Sequence, residues 1–164
     1  MGAPTASEAE AYLYRHIPIS SAMGVRVREC DERGVRLWAP LAPNINHRAT
    51  VFGGSASAVA ILAAWTGLHF ALRAAGISAR LVIQRNSVDY LVPITGDFEA
   101  RQPALPAELW EKFVRTLRRH GRARAELNAT IFCDGLECAT FRGEFVALPI
   151  DDPLAVPEPP DFVR

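Results

Sequence analysis

The clearest pattern in the chain is one long segment without charge, set between groups of short alternating segments. No residue from Ser55 to Leu72 carries a formal charge. A helix that is apolar on all sides is either buried in a protein core or spans a membrane. Scattered Ser, Thr, Gly and His residues and much alanine favour the buried alternative. We therefore predict a core helix over residues 55–75, with Gly76 just after its C-terminus.

Alternation of apolar and polar residues predicts six strands, two before this helix and four after it. The last two strands flank Asp134-Gly135, a dipeptide typical of hairpin turns. The predicted strands cover residues 25–30, 35–41, 79–92, 95–101, 123–131 and 138–147.

Two further helices are predicted outside the core helix. Ser7 and Glu10 have the spacing of a capping box, which predicts a short helix ending near His16. Residues 105–120 have apolar positions at helical spacing and charges on the other side, which is typical of a surface helix ending at Gly121. Residues 19–24 are predicted as a link.

The order of these elements predicts an α+β fold, in which an antiparallel sheet of about six strands wraps around one central apolar helix. The additional helix over residues 105–120 lies on the surface. We expect residues 1–150 to form a single domain. Residues 151–164 contain four prolines and are predicted to be an extended tail.

Composition limits which partners and which cellular compartment we expect for this protein. Lys plus Arg and Asp plus Glu both number 18, which argues against nucleic acid or a membrane surface as the main partner. The three cysteines, Cys30, Cys133 and Cys138, have no metal-site spacing, and we expect them to be reduced and buried. The N-terminal residues include acids and no apolar core, so we expect a cytoplasmic protein without a signal peptide.

Three segments carry a resemblance to a known family: IPISSAMGVRV, APLAPNINHRATVFGGSASAVAILAAW and LVIQRNSVDYLVPITGDFEA. They resemble the hotdog-fold thioesterases of the YiiD C-terminal-domain family, over about residues 12–148. The resemblance implies a homodimer formed through the long strand, with a tetramer as a further option. It also implies acyl thioesters of coenzyme A or acyl carrier protein as substrates. No separate cofactor is expected, because coenzyme A enters as part of the substrate.

The resemblance also implies an active site at a dimer interface, where the central helix begins. Two glycines at a helix start leave backbone N–H groups free, with the helix dipole behind them. The N–H of Gly54 is therefore the predicted donor to the thioester oxyanion, and Gly53 permits close approach. Tight packing at the helix entry is the alternative role for both glycines.

Two positions depart from the pattern common in hotdog thioesterases, which often have His-Gly-Gly and then an acid within two helical turns. Here Phe52 precedes the glycines, and Ile61 stands where the acid is usual. The standard base therefore cannot be carried over. Asn46 is predicted to hold the water instead, and Asp89 of the partner's long strand is the best carboxylate to assist it. No metal-ligand set is apparent.

Several of these candidates have a structural alternative. Asn46 could form an Asx turn, Asp89 could pair with Arg85, and Ser55 could cap the helix rather than take part in catalysis. His69 is expected to be a hydrogen-bonded core histidine. The candidates for substrate binding are Asn44, His47, Phe52, Gly53, Ser57 and Tyr90. The candidate cations for the phosphates of coenzyme A are Arg48, Arg80, Arg85, Arg118 and Arg119. Trp65 and Phe70 line either an acyl tunnel or plain core.

The leading functional hypothesis is an acyl-CoA or acyl-ACP thioester hydrolase. The missing helix carboxylate keeps a second hypothesis open, a non-catalytic hotdog module that binds acyl-CoA as a sensor or interaction partner. A dehydratase or hydratase is a third alternative, but the His and acid pair that such an enzyme needs is not evident in the sequence.

Overall fold

The computed structural model describes residues 4–150 and contains a six-stranded antiparallel sheet. The strands are β1 (Arg26–Asp31), β2 (Gly34–Ala39), β3 (Arg80–Tyr90), β4 (Phe98–Pro103), β5 (Ala123–Cys133) and β6 (Leu136–Leu148). The helices are α1 (Ala6–His16), α2 (Ile19–Ala22), α3 (Gly53–Ala74) and α4 (Ala107–His120), with a 3-10 turn at Ala42–Asn44. The predicted tail over residues 151–164 lies outside the described residues.

The sheet wraps around α3, and its spatial order is β1-β2-β4-β5-β6-β3. Helix α3 contacts every strand and buries ten side chains along its length. It is long and apolar enough to cross a membrane by length and composition, yet more than half of its most apolar stretch is buried inside the domain. The predicted hotdog fold, with one central apolar helix, is confirmed.

The two edges of the sheet differ in how they are covered. At the β1 edge, Glu10 of α1 accepts a 2.9 Å hydrogen bond from the backbone N–H of Val27. Tyr14 of α1 donates a 2.6 Å bond to the carbonyl of Val25, just before β1. At the other edge, β3 pairs with β6 alone among the described residues, and its outer side is open.

The ends of α1 and α3 differ from the sequence predictions. Thr5 and Glu8 form the capping box of α1, so the predicted pair of Ser7 and Glu10 is wrong. Helix α3 begins at Gly53, with Phe52 as its N-cap residue. Ser55 therefore lies inside the first turn and does not cap the helix.

Helix α3 ends at Ala74, one residue before the predicted end, and Gly76 follows its C-terminus as predicted. Gly76 has the left-handed φ of 66° that glycine adopts without strain. The N–H groups of Gly76 and Ile77 donate to the carbonyls of Arg73 and Leu72, which completes a Schellman motif.

The predicted link over residues 19–24 contains the short helix α2, and β4 begins at Phe98 rather than at residue 95. The carboxylate of Asp97, just before β4, accepts a 2.9 Å bond from the N–H of Leu41. This hydrogen bond holds Asp97 beside the loop that enters α3.

The surface helix α4 lies at the C-terminal end of α3. Its Trp110 lines the same cavity as Ala71 of α3 and Ala75, the residue that follows α3, and Gly121 lies against Pro149. Arg118 and Arg119, which the sequence suggested for the phosphates of coenzyme A, therefore belong to the end of the domain opposite Gly53.

Candidate active site

The chain enters α3 through a loop that Asn44 holds in place. The side chain of Asn44 is 2% exposed, and its Nδ2 donates to the carbonyls of Met23 at 2.8 Å and Pro40 at 2.7 Å. Its own carbonyl accepts a 2.7 Å bond from the N–H of Phe52. Asn44 thus supports the N-terminus of α3 from inside the domain.

Asn46 organises the next part of the loop. Its Oδ1 accepts from the N–H groups of Arg48 at 2.8 Å and Thr50 at 3.3 Å. Its Nδ2 donates to Thr50 Oγ1 at 2.9 Å and to the carbonyl of Val51 at 3.3 Å. Because an amide side chain has two donors and two acceptor lone pairs, Asn46 would have to exchange one of the longer bonds to hold water. The bond from the N–H of Arg48 to Oδ1 gives Asn46 the Asx turn that was its structural alternative.

The first turn of α3 presents free backbone donors. The side chain of Phe52 makes no capping hydrogen bond, while its carbonyl accepts from the N–H groups of Ser55 and Ala56. Within residues 4–150, the N–H groups of Gly53 and Gly54 have no partner. Helix N-termini of this kind attract negative charge, since the helix dipole adds to the free N–H groups.

Phe52 covers this helix start from the solvent side. Its side chain is 59% exposed, and a Cβ added to Gly54 would lie 2.3 Å from the Phe52 ring. Glycine at position 54 therefore lets the aromatic ring lie directly against the backbone that carries the free N–H groups.

Tyr90, the last residue of β3, closes the other side of the helix start. Its phenol donates a 2.6 Å hydrogen bond to the carbonyl of Gly53. A Cβ on Gly53 would approach the phenol oxygen to 3.3 Å. Burial raises the pKa of the Tyr90 phenol, which keeps the donor protonated.

The structure places Asp89 on the opposite face of the sheet from Gly53. Successive side chains of a strand point to opposite faces, and Tyr90 points towards α3. Asp89 is exposed and pairs in register with Thr140. It also forms no ion pair with Arg85, because Arg85 approaches Glu144 at 3.9 Å instead. Asp89 therefore neither points towards the helix start of its own subunit nor pairs with Arg85.

The inward-facing polar residue of β3 is Asn86, which the sequence analysis did not single out. It shares the inner face with Val88 and Tyr90, and a β-bulge between Ile83 and Arg85 sets this register. Asn86 lies opposite Gly143, which has no side chain, and it is exposed in the single subunit. Residues 84–87 and residue 89 of β3 are all polar, and only the bulge shows which of them face inwards.

The comparison with protein families gives a match over residues 6–149 to the family described as "Putative thioesterase (yiiD_Cterm)". The chain belongs to this family. Its resemblance to that family, inferred from the sequence, is thereby confirmed.

Solved structures support the same assignment. A protein of unknown function from Chlorobaculum tepidum has 28% sequence identity and a TM-score of 0.84, over 87% of this chain and 93% of that one. A protein from Shewanella oneidensis described as a "putative thioesterase" has 27% identity and a TM-score of 0.78, over 88% and 97% of the two chains. A thioesterase from Haemophilus influenzae, at 12% identity and a TM-score of 0.72 over 92% and 95%, shares the fold.

Carboxylates are missing from the helix that begins the site. No residue of α3 is an Asp or Glu, and the half-buried Ile61 packs against the core where an acid is usual in such enzymes. Ser55 and Ser57 are half-buried in the first turns, and His47 is exposed in the loop. No group of three or more His, Cys, Asp or Glu side chains in residues 4–150 could hold a metal ion.

His69 lies in an aromatic cluster rather than in a hydrogen-bonded one. Its ring stacks on Trp65 with centroids 4.4 Å apart and lies 4.9 Å from Tyr12. Its Nε2 is buried and has no partner, so the expected hydrogen-bonded core histidine is wrong in this respect. Burial, and then the nearby charges of Arg73 and His16, lower the pKa of His69 to about 4.

Proposed function

We propose that this protein hydrolyses acyl thioesters of coenzyme A or acyl carrier protein. Water would add to the thioester carbonyl, the carbon–sulfur bond would break, and the carboxylic acid and the thiol would leave. The observation that carries the proposal is the exposed, uncapped start of α3 in a member of a thioesterase family. There the free N–H groups of Gly53 and Gly54 can meet a carbonyl oxygen as it becomes negative.

The site would be completed by a second copy of the chain. Strand β3 has an open edge of 11 residues, whereas α1 covers part of the opposite edge at β1. An unpaired strand edge of this length is a template for pairing with another chain. Exposed apolar side chains surround the end of β3 and the helix start: Ile45, Phe52, Tyr90, Leu91 and Val92. Homodimerisation through β3 would cover them, and pairing of dimers into tetramers is a further possibility.

The water in this proposal is held by neutral polar groups. Within one subunit Asn86 is the exposed polar side chain on the inner face of β3, and Ser57 is half-buried in α3 without a hydrogen-bond partner in residues 4–150. Asn46 would shape the loop and reach the water by giving up one of its 3.3 Å bonds. His47, exposed in the same loop, is the nearest side chain that ordinarily titrates near neutrality.

A second candidate function is a hotdog module that binds acyl-CoA without hydrolysing it, as a sensor or interaction protein. Two observations favour it: α3 has no carboxylate, and Asp89 faces away from the helix start of its own subunit. Arg48 in the exposed loop is the cation that lies nearest in sequence to the proposed acyl site.

Thiol release from acyl-CoAs of different chain length separates the two functions. The same panel and free coenzyme A are tested for binding by thermal shift. Hydrolysis of at least one chain length supports the thioesterase, and binding without release of thiol for any chain length supports the module. Asn46→Ala and Asn46→Asp then test the loop, since the aspartate keeps the two acceptor contacts and loses both donor contacts.

A further inference from the structure

A groove lies between α4 and the first half of β5, where the sheet is open on one side. Strand β4 pairs with β5 only at residues 130–132, so on that side residues 123–129 have no paired strand within the described part of the chain. Helix α4 lies beside this part of β5 and leaves a groove of about 710 Å³ between them. We call this space the α4–β5 groove.

The α4–β5 groove has an apolar floor and a mainly cationic rim. Its floor includes Phe113 and Ala125, which are buried, and Leu109, which is 52% exposed. The charged and titratable residues of its lining are Lys112, His120, Arg122, Arg124 and Glu126. The single acid in that set, Glu126, approaches Arg142 at 3.8 Å. Such a lining fits a segment that carries both apolar and acidic side chains.

The positive charge around the groove is not balanced by the described domain. Residues 112–124 contain six of the 18 Lys and Arg residues of the chain and no Asp or Glu. Arg124 approaches Glu144 at 3.6 Å. Lys112 and Arg122 are exposed, and they form no ion pair within the described part of the chain. The rim of the groove therefore carries cations that lack a counter-charge.

The chain leaves the described structure at one end of this groove. Strand β6 ends at Leu148, and Pro149 packs at the turn between α4 and β5, where a Cβ on Gly121 would lie 3.4 Å from its ring. Ile150, the last described residue, is 54% exposed. The tail over residues 151–164, with the sequence DDPLAVPEPPDFVR, continues from this point. It is therefore attached directly beside the groove.

The tail has the charge that the groove lacks, and it is long enough to follow the groove. Its one cation, Arg164, stands against four acids: Asp151, Asp152, Glu158 and Asp161. The apolar Leu154 and Val156 lie between these acids. An extended chain of 14 residues reaches about 46 Å at 3.3 Å per residue, about twice the length of residues 123–129 of β5.

We propose that the tail binds in the α4–β5 groove of its own chain, with its acids at the cationic rim and Leu154 and Val156 on the apolar floor. Its attachment at Ile150 makes the association intramolecular, at an effective concentration in the millimolar range. Exposed ion pairs are individually weak, so the apolar contact with Leu109 and Phe113 is required to hold the tail. Bound there, the tail keeps external anionic partners away from the cations of α4.

Two variants of the full chain test the contact from its two sides without changing any charge. Leu109→Ser alters the exposed part of the groove floor, and Leu154→Ser with Val156→Ser alters the tail. The probe is a heparin oligosaccharide, a soluble polyanion, titrated at low salt. If the tail covers the groove for nine-tenths of the time, each variant should bind heparin about tenfold more tightly than the wild type. Combining the two should add little, because both remove the same contact.

Leu136→Ser is the matched control, because Leu136 is 59% exposed beside the Asp134-Gly135 turn and does not line the groove. It should leave heparin binding unchanged. Nuclear magnetic resonance should show the backbone amide signals of α4 shifted in the groove and tail variants but not in the control. Heparin affinity that stays unchanged in either variant, or rises equally in the control, would overturn the proposal. Amide shifts that depend on protein concentration would also overturn it, because they would assign the groove to the tail of a second copy.

Discussion

The phenol of Tyr90 donates a 2.6 Å hydrogen bond to the carbonyl of Gly53, joining the end of the edge strand to the first turn of the central helix. The two residues are 37 positions apart in the chain. Their bond holds the free N–H groups of the helix start at a set place relative to β3. Any partner strand paired with β3 would therefore meet a helix start in a defined position.

Tyr90→Phe removes this bond and little else. We expect the free energy of unfolding to fall by about 1 kcal/mol, as for a typical intramolecular hydrogen bond. We also expect thiol release from acyl-CoA to drop several-fold, because the helix start is less well held. Urea unfolding and the thiol assay measure the two effects. A variant with wild-type turnover would remove Tyr90 from the proposed site.

Gly54→Pro tests the oxyanion donor directly, because proline has no backbone N–H and the N–H of Gly54 makes no hydrogen bond within residues 4–150 that the substitution would break. We expect a loss of about 100-fold or more in kcat. Gly54→Ala is the matched control, since it adds the same Cβ against the Phe52 ring but keeps the N–H. Equal kcat values for the two variants would mean that the N–H of Gly54 is not the donor.

Asn86→Ala and Asp89→Ala separate the two faces of β3. Asn86 shares the inner face with Tyr90, and Asp89 lies on the outer face in register with Thr140. We expect Asn86→Ala to lower kcat about tenfold or more and Asp89→Ala to leave it within about twofold, on the scale of general acid–base and positioning effects. The reverse result would restore the carboxylate predicted from the sequence.

Ser87→Lys tests dimerisation through β3. Ser87 is exposed near the middle of this edge strand, and charged residues there oppose edge-to-edge pairing. Sedimentation should show a dimer that dissociates at least tenfold more readily than the wild type. Thr140→Lys on β6 is the control, because it adds the same charge away from the open edge. A variant as dimeric as its control would place the interface elsewhere.

His69 predicts a pH-dependent stability. Its pKa is lowered to about 4 in the folded protein from an ordinary value of 6.5, so the unfolded chain binds the proton first as the pH falls. The contribution of neutral His69 to the free energy of unfolding should be fully present above pH 6.5. It should be lost as the pH falls from 6.5 to 4. We expect a loss of about 2 kcal/mol, less than the full shift implies, because the ring is partly in contact with water.

His69→Phe keeps an aromatic ring beside Trp65 and Tyr12 and removes the proton-binding group. Thermal melts at pH 4 and pH 7 should differ less for this variant than for the wild type. The charged groups near the ring, Arg73 and His16, are retained in both proteins. An unchanged pH dependence would assign the acid sensitivity to other groups.

The helices and strands could be predicted from the sequence because the signals that indicate them are local. The charge-free run, the alternating segments, Gly76 and the Asp134-Gly135 turn each depend on neighbours within a few residues, and the structure has the helix and the six strands where these signals place them, within a few residues at their ends. The capping box of α1 was displaced by two residues, because Ser7–Glu10 and Thr5–Glu8 have the same spacing and only one is used.

The position of the candidate site could be predicted from the sequence, but the orientation of its polar side chains could not. The glycines, the Asn-rich loop and the end of β3 were identified from the sequence, and the structure brings Gly53 and Tyr90 into contact. The direction of Asp89 and Asn86 was not predictable, because one bulge in β3 exchanges the inner and outer faces of everything that follows.

The sequence by itself therefore determined that a charge-free helix lies inside an antiparallel sheet and begins at two glycines after a polar loop. Only the tertiary structure decided which polar groups remain available there. Asn46 turns its amide to its own loop, and Asp89 turns outwards. Hydrogen bonding and strand register depend on residues distant in the chain, so these directions follow from the fold and not from local pattern.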